Sequence, residues 1–131
     1  METKMKKGIL IDPETQTISE VEVQTWRDIA PLIGNGCTTF SCPVEFDNRD
    51  TMYCDDEGLY HDIKGGIMMS DWSYPIIGRV LILGTDEEGD TIDAKTPMQW
   101  FRENITYITE QQAKSYAQFA LETPFKVYTW E

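Results

Sequence analysis

The residue types best suited to chemistry gather in one irregular segment of the sequence, from position 60 to position 79. Aromatic side chains stack on planar rings, glycines let backbone amides approach an anion, and cations attract phosphate. This mixture predicts a binding site for a planar, phosphorylated small molecule. The residues of the predicted site are Tyr60, Lys64, Gly65, Gly66, Trp72, Tyr74 and Arg79. The alternative interpretation is that the aromatic side chains only cover one end of a sheet.

A catalytic site is harder to build from this sequence, because histidine is the commonest general base and His61 is the single histidine. Cys54 could approach His61 across a hairpin, but adjacent strands bring many such pairs together without catalysis. No serine lies in a nucleophile-elbow pattern. The sequence therefore predicts a binding protein rather than an enzyme, with no catalytic residues.

Metal ligands are present, but not in the spacings that metal sites use. Structural zinc takes four Cys or His ligands in closely spaced pairs. The four candidates, which form no such pair, are Cys37, Cys42, Cys54 and His61. Three acidic runs at 47–50, 55–57 and 86–90 are explained by turns, which favour Asp, Asn and Gly. None matches the calcium loop, so we predict no metal and no cofactor.

The composition limits the classes of partner. The 131 residues carry a formal net charge of −12, so a basic surface for nucleic-acid backbones is not expected. The acidity has two open interpretations: it confers solubility, or it imitates nucleic acid and docks on a basic protein. Three cysteines, no export signal and no apolar run of about 20 residues predict a cytoplasmic protein without a membrane segment.

The elements that must position these residues begin with strands. Alternating apolar residues predict a hairpin of residues 8–12 and 17–23. Thr25 and Asp28 then predict a capping box that opens a short helix, which Gly34 to Gly36 would end. A half-buried strand follows at 40–46, in which Cys42 alternates with apolar neighbours as a small core residue and Pro43 marks an edge or a bulge.

Further strands are predicted at 51–54, 59–63 and 76–83, and a hairpin loop leads from the last of these to a return strand at 91–94. Residues 64–75 show no clear period. In the last third, Thr96 as N-cap predicts a helix over 97–104, and Thr109 with Gln112 predicts the capping box of a second helix. The tail after Pro124 alternates and could add a final strand.

Together these elements predict an α+β protein with a single domain over residues 1–131. Its strand-rich core would span 8–94, with a largely antiparallel or mixed sheet. Two to three short helices complete the expected fold, and residues 96–131 would form a mostly helical C-terminal part.

Three segments of the sequence resemble a domain-of-unknown-function family of small proteins that occur in phages, plasmids and other mobile elements. They are residues 9–14 (ILIDPE), 53–59 (YCDDEGL) and 75–84 (PIIGRVLILG). The resemblance spans roughly residues 8–94, and the helical C-terminal third resembles an elaboration. The resemblance assigns no functional residue to this chain. It implies a mobile-element accessory protein, a setting in which small non-enzymatic proteins often counter host defence.

The leading hypothesis is accordingly a counter-defence protein that sequesters a nucleotide-derived immune signal, with Trp72 or Tyr74 stacking and Arg79 or Lys64 meeting phosphate. The alternative is an acidic inhibitor that mimics DNA and occludes a basic host nuclease or restriction protein. A homo-oligomer could build the pocket between subunits. A hidden hydrolase around His61 is a third and weaker hypothesis.

Overall fold

A computed structural model of the chain describes residues 5–34, 40–55, 63–70 and 74–122. Its strands are β1 Lys6–Asp12, β2 Thr17–Val23, β3 Phe40–Glu45, β4 Asp50–Asp55, β5 Gly66–Met69, β6 Ile76–Ile77, β7 Val80–Thr85, β8 Thr91–Ile92 and β9 Ile105–Ile108. Its helices are α1 Ile29–Ile33, α2 Met98–Asn104 and α3 Glu110–Glu122, and a 3-10 turn at Trp26–Asp28 leads into α1. The predicted α+β class is confirmed, as one domain of antiparallel sheets with three short helices.

The larger sheet has the order β2-β1-β7-β4-β3, and β8 pairs with β7. Its central strand β7 is apolar on both faces because both faces are covered. Val80 and Ile82 pack in a core shared with the smaller sheet and α2. Leu81 and Leu83 pack on the opposite face, against α1. The continuous apolar run of β7 is therefore that of a strand buried on two sides.

The smaller sheet has the order β6-β5-β9 and corrects three expectations. The single strand predicted over 76–83 is two strands, because Gly78 adopts a φ of +87° and the chain crosses from the smaller sheet to the larger one there. The segment 64–75 was expected to be irregular, but residues 66–69 form β5. The last third contributes β9 between two helices, and β9 pairs with β5.

Strand β3 is an edge strand whose register shifts between Ser41 and Val44, as the bulge expected at Pro43 requires. The bulge corrects the prediction for Cys42, which is exposed rather than buried. Strict alternation would put Phe40 and Val44 on one face. Instead Phe40 packs in the core beneath α1 and Val44 in the core on the opposite face, because the extra residue reverses the alternation.

Two of the three predicted helix starts are confirmed. Thr25 forms its capping box with Asp28, and Thr109 and Gln112 exchange backbone and side-chain hydrogen bonds of 2.8 and 3.0 Å. The third is wrong, because Pro97 rather than Thr96 caps α2. The Thr96 hydroxyl instead accepts a hydrogen bond from the side-chain amide of Asn48, at 2.9 Å.

Other expectations fall outside the described residues, namely the strand over 59–62, the helix stop at Thr123–Pro124 and the tail beyond it. Among the helices that are described, none has the length and apolarity needed to cross a membrane.

Candidate functional site

Two of the predicted site residues, Lys64 and Arg79, line one small cleft, which we call the Arg79 cleft. Its lining residues are Asp12, Glu14, Ile33, Lys64, Gly78 and Arg79. Arg79 Nε lies 3.3 Å from Asp12 Oδ2. The cleft measures about 120 Å³, whereas pockets that enclose small-molecule ligands usually measure about 300–1,000 Å³. Two cations thus face two carboxylates in a space too small for a nucleotide.

The Arg79 guanidinium also rests on the backbone of Gly34, the residue that ends α1. A Cβ at Gly34 would lie 2.9 Å from Arg79 Nη1, and the φ of +73° at Gly34 favours glycine independently. Arg79 therefore ties together the end of β1, the entry to β7 and the end of α1. This structural role accounts for its position without a ligand.

The remaining predicted site residues do not join Arg79 around a pocket. Gly66 pairs with Ile77 on one side and Ile108 on the other, and a Cβ there would lie 2.6 Å from the Ile76 carbonyl oxygen. Gly65 and Gly66 thus let strands approach closely, and they leave no room for an anion. Tyr74 is 53% exposed and does not line the Arg79 cleft. Two further members, Tyr60 and Trp72, lie outside the described residues.

A different aromatic residue, Trp26, is presented to solvent by a rigid turn at the end of β2. The Thr25 hydroxyl accepts a hydrogen bond from the backbone N–H of Arg27 at 3.2 Å. The Asp28 carboxylate accepts the N–H groups of Gln24 and Thr25 at 2.9 and 3.0 Å. The backbone hydrogen bond from Thr25, and to a smaller extent the one from Gln24, stabilises the ionised carboxylate. Together they lower the pKa of Asp28 below its ordinary value. The turn is therefore fixed on both sides of the indole.

Trp26 lines a larger opening, the Trp26 cleft, which measures about 370 Å³. Its lining residues are Lys6, Val23, Gln24, Thr25, Trp26, Ile29, Leu83, Asp90 and Thr91. The floor is apolar, because Val23, Ile29 and Leu83 belong to the core beneath α1. The rim is polar and carries both signs of charge. Trp26 remains 65% exposed although the Arg27 guanidinium lies 5.0 Å from its ring centroid.

A second cleft of about 400 Å³ adjoins the Trp26 cleft and shares Lys6 with it; its other lining residues are Met5, Ile92, Asp93, Ala94 and Lys95. The wall at Lys95 is anchored by the buried carboxylate of Asp50. That carboxylate accepts the backbone N–H of Lys95 at 2.9 and 3.1 Å and that of Thr96 at 2.7 Å. This fully satisfied buried acid is structural, and it fixes the chain between β8 and α2.

The turns at 46–49 and 86–90 meet at one end of the larger sheet and expose the acidic residues Asp47, Glu87, Glu88 and Asp90. The Thr85 N–H donates to the Arg49 carbonyl at 3.0 Å, which joins the two turns. Asp86 accepts the N–H groups of Glu88 and Asp90 at 2.9 Å each, as expected for turn-forming carboxylates. The Asp86, Glu88 and Asp90 carboxylates lie within 4.8 Å of one another, close enough to share a cation.

The sequence pattern placed Trp26 only within the short helix that follows Thr25, and so it did not indicate the Trp26 cleft. The signal that could have found it is the position of Trp26 directly after the N-cap Thr25, where a side chain projects from the turn and is not drawn onto the core. No local sequence pattern indicates that Lys6, Leu83 and Asp90 line the same cleft. Their proximity depends on how the strands pair.

These features define a small α+β domain whose antiparallel sheets carry open clefts at their ends. The chain belongs to the family described as domain of unknown function DUF3846, whose model matches residues 5–118. The match continues through α2, β9 and most of α3, further than the resemblance over 8–94 indicated. The C-terminal helices are thus part of the family domain and not an elaboration of it.

The chain also resembles "Uncharacterized protein y4iR" of Sinorhizobium fredii (strain NBRC 101917 / NGR234). The two are 30% identical over 78 residues, which is 59% of this chain. The aligned part covers 48% of y4iR, so the chain spans about half the length of that relative. No solved structure matches the chain.

Proposed function

We propose that this protein is a non-catalytic binding protein that holds a nucleotide-type small molecule in the Trp26 cleft. The observation that carries the proposal is an exposed indole at the mouth of an apolar cleft with a cation and a carboxylate on its rim. The cleft volume of about 370 Å³ falls within the usual range for ligand pockets.

The indole supplies the main attraction for a planar ring. Stacking of a base on an aromatic side chain contributes about 1–3 kcal/mol and tolerates any base, because every base has a π-face. The capping box holds the backbone of the turn that carries Trp26, so ordering of that backbone adds little to the entropic cost of stacking. An exposed aromatic on a fixed turn is therefore suited to a planar ligand.

The rim supplies groups for the rest of a nucleotide. Lys6 offers a positive charge to phosphate, while the Asp90 carboxylate can accept hydrogen bonds from ribose hydroxyls or from an exocyclic amine. Gln24 and Thr91 add neutral donors and acceptors. This set serves a ligand with an anionic end and a hydrogen-bonding end better than it serves a purely anionic one.

The family context gives the proposal its biological setting. The sequence resembles small proteins of phages, plasmids and other mobile elements, where nucleotide-derived molecules act as signals of host immunity. We propose that the protein sequesters such a signal and so counters host defence in the host cytoplasm.

The experiment is a calorimetric titration of AMP, ADP-ribose and a cyclic dinucleotide into the purified protein, with thermal-shift measurements in parallel. We expect at least one of them to bind and to raise the unfolding temperature, because a ligand that binds only the folded state stabilises it. The protein should also be denatured and its supernatant analysed for a ligand carried from the cell. The absence of binding heat, thermal shift and carried ligand together would refute the proposal.

A second candidate, an acidic inhibitor of a basic host nuclease or restriction protein, is favoured by the end of the larger sheet where the two turns meet. Asp47, Glu87, Glu88 and Asp90 are exposed in these two turns, which a backbone hydrogen bond joins. Such a surface would attract a basic groove, and salt would weaken the attraction.

The test for the second candidate is co-purification with host proteins at low and high salt. The variant Glu87→Gln/Glu88→Gln should lose a basic partner that the wild-type protein retains at low salt. The matched control is Glu103→Gln/Glu110→Gln, which removes the same charge from exposed positions on α2 and α3. Equal loss in both variants would show a non-specific charge effect and argue against an inhibitory surface at the turns.

A further inference from the structure

The two outer strands of the larger sheet differ in how they present their edges. Edge strands are usually protected by charged side chains, proline or bulges, because their unpaired backbone groups can pair with another chain. Strand β3 has Pro43 and a register shift between Ser41 and Val44. Strand β2 has neither, and all seven of its residues pair in unbroken register with β1, from Thr17 opposite Asp12 to Val23 opposite Lys6.

The outer edge of β2 is a regular template for another strand. Within the described part of the chain, β2 pairs with β1 alone, and no further backbone hydrogen bond reaches it. A seven-residue strand is longer than the typical strand of about five to six residues. An extended segment could therefore add beside β2 over its whole length.

The side chains of β2 restrict which segment can do so. Glu20 and Glu22 are exposed, and as alternate residues they point to the same face. Opposite charges on directly paired residues stabilise a sheet, whereas like charges destabilise it. A second copy of this chain pairing antiparallel through β2 would bring these glutamates near their own counterparts. A strand with lysine or arginine at alternate positions would place a cation beside each glutamate.

We propose that the outer edge of β2 is a docking site for an extended basic segment of a partner protein, which binds by adding a strand to the larger sheet. Backbone hydrogen bonds give the affinity in this mode of recognition, and alternate side chains give the specificity. The glutamates exclude acidic strands and a second copy of this chain. This site is separate from the Trp26 cleft and does not depend on nucleotide binding.

The test uses a short probe peptide of alternating lysine and threonine, titrated into the full chain by fluorescence anisotropy. A second peptide has the same sequence with N-methyl groups on alternate amides, which keeps its charge but prevents strand pairing. A third has glutamate in place of lysine. The protein variants are Glu20→Lys/Glu22→Lys and, as a matched control with the same charge change, Glu103→Lys/Glu110→Lys, which lies on α2 and α3. Circular dichroism confirms that each variant is folded.

We expect the lysine peptide to bind wild-type protein and the control variant alike, and the methylated peptide not to bind. The Glu20→Lys/Glu22→Lys variant should bind the lysine peptide about tenfold more weakly, because two cross-strand pairs change from attractive to repulsive. It should bind the glutamate peptide instead. Equal binding of the methylated peptide, equal weakening in the control variant, or no binding by any peptide would overturn the proposal. So would a dimer of the protein alone that the lysine peptide dissociates.

Discussion

The Arg79 cleft and the Trp26 cleft both carry charges of both signs, but only the Trp26 cleft has an aromatic ring. In the Arg79 cleft the cation is already paired with Asp12 at 3.3 Å, and the space measures about 120 Å³. In the Trp26 cleft an aromatic ring is 65% exposed, and the opening is about three times as large. Residue types suited to a ligand therefore mark a site only where the fold leaves them accessible, and here it does so at Trp26.

The regions also differ in the interactions that stabilise them. Surface ion pairs contribute little to stability, whereas a buried carboxylate with several hydrogen bonds contributes much more. The Arg79 cleft relies on the partly exposed pair of Arg79 with Asp12. The second cleft, which adjoins the Trp26 cleft, has a wall that relies on Asp50, which is fully buried and bonded to the backbone of Lys95 and Thr96.

The largest expected effect tests that difference in stability. Asp50→Ala should lower the free energy of unfolding by about 3 kcal/mol, because it removes the buried carboxylate that accepts the backbone N–H groups of Lys95 and Thr96. Asp12→Ala, which removes a carboxylate from the Arg79 cleft, should cost about 1 kcal/mol or less. Urea unfolding monitored by circular dichroism measures both. Comparable losses for the two variants would contradict the assigned difference between the regions.

A somewhat smaller effect tests whether Gly66 serves packing or a ligand. Gly66→Ala should destabilise the fold by about 1–3 kcal/mol, because its Cβ would press on the Ile76 carbonyl. Folded Gly66→Ala protein should bind a ligand of the Trp26 cleft with the same affinity as the wild-type protein. Unchanged urea stability together with lost ligand binding would instead assign Gly66 to a binding site.

The smallest effect concerns the turn that holds Trp26. Asp28→Ala removes the carboxylate that accepts the N–H groups of Gln24 and Thr25. Ligand affinity should fall, but less than in Trp26→Ala, because the ring is still present on a looser turn. Since the pKa of Asp28 is lowered in the fold, its stabilising contribution is present above its ordinary value of 3.8 and is lost as pH falls through the depressed pKa.

The corresponding measurement is ligand affinity of the wild-type protein at about pH 7 and about pH 5, where Asp28 stays ionised. The contribution of the turn should be the same at both. A weakening between these values that is absent in Asp28→Ala would show that Asp28 titrates in this range, contrary to its hydrogen bonding.

The sequence predicted the elements whose signal is local. The hairpin of β1 and β2 follows from alternation, and the capping boxes at Thr25 and Thr109 follow from spacing alone. Strand β5 was missed because its Gly-Ile-Met-Met sequence has weak β-propensity and no alternation. The division at Gly78 was missed because apolar residues precede Gly78 and follow Arg79, in strands that belong to different sheets.

The candidate site was less predictable than the fold, for a physical reason. Lys64 and Arg79 do lie together, as their shared irregular segment indicated. Asp12 and Glu14 line the same cleft as these two cations because of where the turn after β1 lies in space. No local sequence pattern encodes that position. The exposure of Trp26 likewise depends on which face of its turn meets the core.

The account is tested most directly by titrating AMP, ADP-ribose and a cyclic dinucleotide into wild-type protein, Trp26→Ala and Arg79→Ala by calorimetry. Phe119→Ala serves as a control, because it removes an exposed aromatic residue remote in sequence from both clefts, on α3. For a ligand that binds the wild-type protein, Trp26→Ala should bind about 5- to 140-fold more weakly, the equivalent of about 1–3 kcal/mol of stacking. Arg79→Ala and Phe119→Ala should bind as the wild-type protein does. Full affinity in Trp26→Ala with loss in Arg79→Ala would contradict the central claim.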